Sequence, residues 1–361
     1  MTGILGLLGL KDTDNSYLNA IGQAGVYTAL QTWSARINMD MEQAMGVFVS
    51  GMTENYKERY YLPGGGRLQE RGEFARTGAV RATGSWDVAY PLHDFGAQVV
   101  ASDVAWAKMT AQQLVRHTDT VRNQYAATVR FQIMRRILNN TALSFADPEY
   151  GTLTCPPLAS GDGTLYPPVV GSETEADDTH HLESGYAASA ISDTNNPLIT
   201  IRDEIAEHFG ESTGGDNVVV FISNNAERAK IEALTEFVPV EDQFIRSGGN
   251  ADVPTRLPSI PGTIIGRAHG VWVSVWRWLP SAYMVGVHLE AEAPLKMRVD
   301  PAASGLPRGL ALVSQFADSN YPMVGAEWRT RFGVGVANRL NAVVMELGSG
   351  GTYTIPTGYT F

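Results

Sequence analysis

Residues 103–140 read DVAWAKMTAQQLVRHTDTVRNQYAATVRFQIMRRILNN, 38 consecutive positions without a glycine or a proline. So long a run of good helix formers without a backbone breaker predicts one helix, or two nearly collinear ones, about 55 Å long at 1.5 Å per residue. Leu114, Val121, Tyr125 and Val129, followed by Met134, Ile137 and Leu138, recur at helical spacing as one apolar stripe. Around it stand Lys108, Arg116, Arg122, Arg130, Arg135 and Arg136, opposed from Val104 onward by Asp119 alone. Such a row of arginines either pairs with acidic neighbours, within or between subunits, or faces phosphates.

Upstream, the pattern is different. Residues 1–52 mix short helical patches, such as Tyr17 to Ser34, with glycine and polar breaks, and are expected to form an arm. From Lys57 to Val100 strand-like pieces alternate with turn signals at Pro63-Gly64-Gly65-Gly66, Gly72, Gly78 and Gly84, which fits a long irregular β-hairpin over 53–100. It holds few large apolar residues of its own, so it is expected to pack against something else.

Downstream, residues 161–197 carry seven Asp or Glu and no Lys or Arg, and are read as a solvated acidic loop. Regular structure is expected again from Leu198: a helix to Phe209, a buried strand over Asn217 to Ile222, a helix over Asn225 to Phe237, and strands over Thr263 to Gly266 and Val271 to Trp278. Two more strand runs lie between Glu327 and Leu347. The class is α+β, without repeats or regular βαβ alternation.

Composition sets limits on this reading. The chain has 361 residues, 44% hydrophobic and only 18% charged, against roughly 25% charged in ordinary soluble chains. This suits two domains, or one with long extensions, and much surface buried. The net charge of −11 lies in the second part, since residues 1–150 carry 14 basic and 14 acidic side chains. Arg outnumbers Lys 22 to 5, which fits either extensive protein interfaces or a codon bias. A single cysteine, Cys155, makes no internal disulfide and points to a reducing compartment. The most apolar stretch, Gly270 to Leu289, is broken by Arg277 and Pro280, and Met1 to Leu10 lacks a basic flank and a cleavage site, so neither membrane span nor export is expected.

Local chemical signatures are missing: there is no G-x-x-x-x-G-K-[ST], H-E-x-x-H, G-x-S-x-G or helix-opening G-x-G-x-x-G. Asp177, Asp178, His180, His181 and Glu183 could bind a divalent ion, but adjacent histidines in an extended loop point to opposite sides, so no metal and no cofactor is expected. Gly348-Ser349-Gly350-Gly351 is read as a C-terminal turn rather than a phosphate cradle. Cys155, followed by Pro156-Pro157, is not read as a nucleophile.

The order of elements, together with Tyr60-Tyr61-Leu62-Pro63-Gly64-Gly65-Gly66, Gly84-Ser85-Trp86-Asp87-Val88-Ala89-Tyr90-Pro91-Leu92 and Phe332-Gly333-Val334-Gly335-Val336-Ala337-Asn338-Arg339 followed by Asn341-Ala342-Val343-Val344, resembles the major capsid proteins of tailed bacteriophages, which have the Hong Kong 97-type fold. The resemblance runs from about residue 50 onward. It implies an N-terminal arm over 1–52, an extended loop over 53–100, a peripheral domain with its spine helix over 101–197, an axial domain over 198–291 and a return to the peripheral domain over 292–361. It implies a structural protein, not an enzyme, that assembles as pentamers and hexamers into an icosahedral virion shell around double-stranded DNA, built in the host bacterial cytoplasm.

By the same resemblance, Tyr61, Leu62, Arg67, Leu68, Arg71, Phe74 and Arg76 of the loop lie on a neighbouring subunit, and Arg116, Arg122, Arg130, Arg135 and Arg136 pair between subunits or face DNA. Some members join subunits covalently through a loop lysine. Here the loop offers only Lys57 near its base, so a non-covalent shell is expected. About fifty residues precede the loop, fewer than the built-in scaffolding segment of some members, so a separate scaffolding protein is expected, with a portal and a decoration protein as further partners. Two alternatives stand beside this reading: an encapsulin, which encloses a cargo enzyme, and a metal-dependent hydrolase using His180 and His181.

Overall fold

The computed structural model describes residues 23–61, 68, 70, 73, 85–102, 109–169, 171–172, 174–209, 217–223, 226–240, 260–317 and 323–361. In chain order they form α1 (Gln23–Met45), β1 (Val49–Thr53), β2 (Lys57–Tyr61), β3 (Ser85–Ala89), β4 (His93–Ser102), α2 (Ala111–Ile137), β5 (Leu143–Asp147), β6 (Gly151–Cys155), β7 (His181–Glu183), α3 (Pro197–Phe209), β8 (Val218–Ile222) and α4 (Ala226–Ile231). Then follow β9 (Val238–Pro239), β10 (Thr263–Ala268), β11 (Val271–Val275), β12 (Tyr283–His288), β13 (Leu295–Arg298), β14 (Ala311–Ala317), β15 (Met323–Val336) and β16 (Ala342–Glu346). The chain divides into one unit of Met1–Gln43, Leu92–Gln132 and Arg298–Gly333, and a second of Ala44–Pro91, Ile133–Met297 and Val334–Phe361.

In the first unit β15 is flanked by two antiparallel partners, β4 in unbroken register from Met323↔Ser102 to Phe332↔His93, and β14 with a register shift at Leu312. Residues 93–100, read from the sequence as part of the hairpin, therefore belong to this sheet instead. Trp33 of α1 meets Trp328 of β15 edge to face at 5.4 Å. Asn38 clamps the chain ahead of β14, donating Nδ2–H to Leu310 O at 3.1 Å and accepting the Leu310 N–H at 2.9 Å. That contact needs Gly309: its φ is +76°, and a Cβ there would fall 2.6 Å from the Asn38 side chain.

Two helices differ from expectation here. The region read as an arm of short patches contains the 23-residue α1, whose buried Leu30, Ile37 and Met41 follow helical spacing. Buried Ser34 and half-buried Asn38 interrupt that stripe and disguise it in the sequence. The long helix starts at Ala111, where Thr110 and Gln113 exchange side-chain and backbone hydrogen bonds as a capping box. Residues 103–108 lie outside the described residues.

The second unit is built on a mixed seven-stranded sheet in the order β7-β16-β12-β8-β11-β10-β9. Both β8–β11 and β16–β7 are parallel, and the remaining pairs are antiparallel. Every residue of β8, β11 and β12 is buried, which is why their sequences are apolar, but for Ser274 and His288, instead of alternating. Leu198, Ile201 and Ile205 of α3 join Val218, Val220, Ile222, Val273 and Met284 in one core cluster. Phe221 turns the other way, towards Phe48 at 5.1 Å. Asn196 caps α3 by accepting the Leu198 N–H at 3.0 Å, and Pro197 occupies the first helical position, where its missing donor costs nothing.

α4 is shorter than the expected 225–237, because Asp193 captures the Thr235 N–H at 2.9 Å and its hydroxyl at 2.5 Å and fixes a turn there. The acidic stretch 161–197 is likewise not solvated throughout. Tyr166, His180, His181, Ile191 and Asn196 within it are buried, and β7 extends the sheet. Buried Arg339 gathers this segment, donating to Pro157 O at 2.8 Å, Thr164 Oγ1 at 3.0 Å and Asp162 Oδ2 at 2.7 Å.

At Gly286 of β12 a Cβ would collide with Ile201 Cγ2 of α3, whereas at Gly51 nothing lies within 4 Å. Gly286→Val should therefore destabilise the protein by about 1–3 kcal/mol through overpacking. Gly51→Val should be near neutral. Urea denaturation of both variants checks this, and equal midpoints would contradict the packing described.

Candidate functional site

At the base of the hairpin β2 and β3 pair from Lys57↔Ala89 to Tyr61↔Ser85. The two-residue period of a strand sends Glu58 and Tyr60 towards the protein and Lys57, Arg59 and Tyr61 outward. Tyr60 stacks on Trp86 at 5.7 Å, and Trp86 donates its indole N–H to Ala337 O at 3.2 Å. Glu58 accepts hydrogen bonds from Thr53 Oγ1 at 2.7 Å, Asn55 Nδ2 at 3.1 Å, Tyr90 OH at 3.2 Å and Lys296 Nζ at 3.3 Å. Burial works against its charge, but these donors outweigh it and bring the carboxyl down to about 2. On the outer face Asp87 binds Arg59 at 2.5 Å and Lys57 at 2.6 Å.

Beyond this anchored base, Tyr61 is 75% and Leu68 97% exposed. Leu62, Arg67, Arg71, Phe74 and Arg76 lie outside the described residues.

The arginines of α2 do not form one row. Arg116 and Arg122 are exposed and Arg130 is half-buried. Arg136 is buried and donates Nε–H to Val334 O at 2.7 Å. Arg135 donates to Thr360 O at 3.0 Å through Nε, and both guanidinium groups sit over the Phe361 ring, at 4.9 and 4.8 Å. The expectation of a surface role for Arg136 is thus corrected: its charge is used inside its own subunit. The sequence pattern missed this because Arg136 sits between Met134 and Ile137 on the buried side, and its partners are more than 190 positions away.

The histidine pair is buried, not solvated, and its side chains do point apart. His181 Nε2 donates to Ile137 O at 3.0 Å, and burial lowers its imidazole to about 4. His180 faces Asp178 instead. Asp177 accepts from Gly163 N at 2.6 Å, and Glu183 accepts from Gly350 N at 2.7 Å and Gly351 N at 3.0 Å. The five residues named from the sequence therefore do not converge on one ion, and the glycine-rich C-terminal turn cradles a carboxylate of the same chain.

Asp178 and His180 do meet three residues of α3 that the sequence reading passed over. His208 Nε2 lies 2.7 Å from Asp178 Oδ2, and Glu204 and Glu207 place carboxylate oxygens beside it. Burial, with Glu207 and Asp178 adjoining, pushes Glu204 up to about 7, and Glu207 is raised for like reasons. Burial would raise Asp178 too, but the two imidazoles hold it well below the usual carboxylate range. The i, i+4 spacing of Glu204 and His208 was the available signal. Cys155 is buried, its Sγ 3.7 Å from Pro156 O. No described helix is long and apolar enough to cross a membrane.

No protein-family model matches the chain, and no curated protein sequence does. Solved structures do match it. A structure from Mycobacterium phage Patience aligns with 97% of this chain and 94% of its own at a TM-score of 0.65 and 18% identity. The capsid structure of the cyanophage P-SCSP1u aligns with 84% of this chain and 86% of its own at a TM-score of 0.51 and 10% identity. The likeness is one of fold, and the α+β fold of this chain is one found in phage capsids.

Proposed function

We propose that this chain is the major capsid protein of a tailed phage, with the Hong Kong 97-type fold, and that its copies assemble as pentamers and hexamers into an icosahedral shell enclosing double-stranded DNA. In this reading α2 is the spine helix of the peripheral domain, residues 198–291 are the axial domain, and the hairpin that rises from β2 and β3 is the extended loop. The observation that carries the reading is the contrast within that hairpin. Its base is fixed by Glu58, Lys296 and Trp86, while Tyr61 and Leu68 beyond it are 75% and 97% exposed, which suits side chains that pack on another subunit. The fold likeness over nearly the whole chain supports it. Non-covalent closure follows from the loop's lack of lysine beyond Lys57, whose amine is engaged by Asp87.

Negative-stain microscopy and light scattering of the purified full chain are expected to show closed shells or rings of five and six. A monodisperse monomer across salt conditions would overturn the reading. The double variant Tyr61→Asp, Leu68→Asp should lower particle yield at least tenfold while leaving the circular dichroism of the subunit unchanged, since neither side chain is buried within it.

The arginines separate by the same logic. Arg116→Glu with Arg122→Glu should reduce particle yield or retained DNA without moving the urea midpoint of the subunit. Arg136→Ala should lower that midpoint, costing about 2–4 kcal/mol, because it removes a charged donor and strands the buried Val334 carbonyl. The reverse pattern, with Arg136→Ala silent and the surface pair destabilising, would contradict the placement of both.

A further inference from the structure

We propose that Asp178, His180 and His208 form a divalent transition-metal site inside each subunit, with a carboxylate from Glu204 or Glu207 as the fourth ligand. The inference goes beyond the shell function and does not depend on it, since every residue belongs to one unit of one chain.

The argument starts from the tautomer of His180. Its side chain is fully buried, and Nδ1 lies 3.0 Å from Ala342 O. A carbonyl only accepts, so Nδ1 carries the proton, and in a neutral imidazole Nε2 then presents a lone pair. That nitrogen has no hydrogen-bond partner, and Asp178 Oδ2 lies 3.0 Å away, off the line of a hydrogen bond. A cation seated between the buried nitrogen and the carboxylate would satisfy both. An Nδ1–H bonded to a backbone carbonyl with Nε2 left open is also the arrangement that orients a metal-binding histidine.

The remaining geometry supplies the other ligands. Asp178 spends Oδ1 on the Thr179 N–H at 2.7 Å and leaves Oδ2 for the site. His208, at the end of α3 with its side chain 2% exposed, brings Nε2 to 2.7 Å from that oxygen, and Glu207 Oε1 stands 3.4 Å from the same nitrogen. Carboxylate oxygens of Asp178, Glu204 and Glu207 all lie within 4.8 Å of one another. A divalent ion offsets two charges and engages both imidazoles. Ligand atoms around a tetrahedral zinc are roughly 3.3 Å apart, so the imidazoles and Asp178 need to open by only a few tenths of an ångström. Two nitrogens and two oxygens suit zinc or a neighbouring first-row ion.

The backbone of His180 is held on both sides, its N–H by Ala159 O at 2.9 Å and its carbonyl by Val344 N at 2.8 Å. A bound ion would therefore staple α3 to a fixed edge of the sheet. Asp178 remains 17% exposed, which leaves an entry path.

The test uses the full chain, stripped with EDTA and titrated with Zn2+. It should bind about one equivalent, and its melting temperature should rise by about 3–5 °C at a hundredfold excess over Kd. His208→Gln and Glu204→Gln with Glu207→Gln should each weaken binding at least tenfold, whereas His117→Gln, an exposed site on α2, should leave it unchanged. No bound zinc, or an equal response in His208→Gln, overturns the proposal. Should His208→Gln fail to fold, Co2+ in the unaltered protein decides: intense visible absorption of tetrahedral cobalt supports the site, and its absence overturns it.

Discussion

The last turn of α2 ends in the interior, where its carbonyl oxygens have no water and must find donors within the protein. Two distant segments supply them: His181 bonds to Ile137 O and the Tyr353 hydroxyl to Leu138 O at 2.6 Å, while Asn139 in turn donates its own amide to Tyr359 O at 3.1 Å. Arg136 then uses the same buried end to hold Val334. Satisfying one helix terminus thus brings the start of β7, the end of β15 and the C-terminal tail to one place. The low pKa of His181 comes from burial at the same place, which outweighs the opposing pull of its hydrogen bond to Ile137 O.

A similar economy governs the hairpin. Strands this short and two in number are marginal on their own. Here the inward residues of β2 and β3 are tied to the rest of their unit through Glu58, Lys296, Tyr90 and Trp86, which fixes the stem. The inward residues of the stem are thus satisfied within one chain, while Leu68 beyond it is left exposed.

Periodicity made much of this fold legible, and long-range polar contacts hid the rest. The stripe of α2, the buried apolar runs of β8 and β11, and α3 with its Asn196-Pro197 start were readable because each signal is local. The helix α1 was missed because serine and asparagine interrupt its buried face, and Asn38 belongs there only through Leu310, 272 positions away. Residues 161–197 were misread for a related reason. Their acidic composition signals solvent, while the residue that organises them, Arg339, lies beyond the sheet strands in sequence. Pairing Asp178 with His208 likewise needs α3 to be docked, which no spacing rule reveals.

The charge balance makes sense once these contacts are counted. Several carboxylates in the second half of the chain serve backbone donors of loops: Glu183 at Gly350 and Gly351, Asp177 at Gly163, Asp193 at Thr235, and Glu346 at the Thr354 N–H, 2.6 Å away. A loop-rich half needs such acceptors, because turns leave N–H groups without ladder partners. Part of the acidic excess there is thus tied to how the loops are held, whereas Arg116 and Arg122 stay exposed on a helix whose Arg135 and Arg136 are spent internally. The exposure of those two side chains is set by where they fall on the helix, and the net charge of −11 does not bear on it directly.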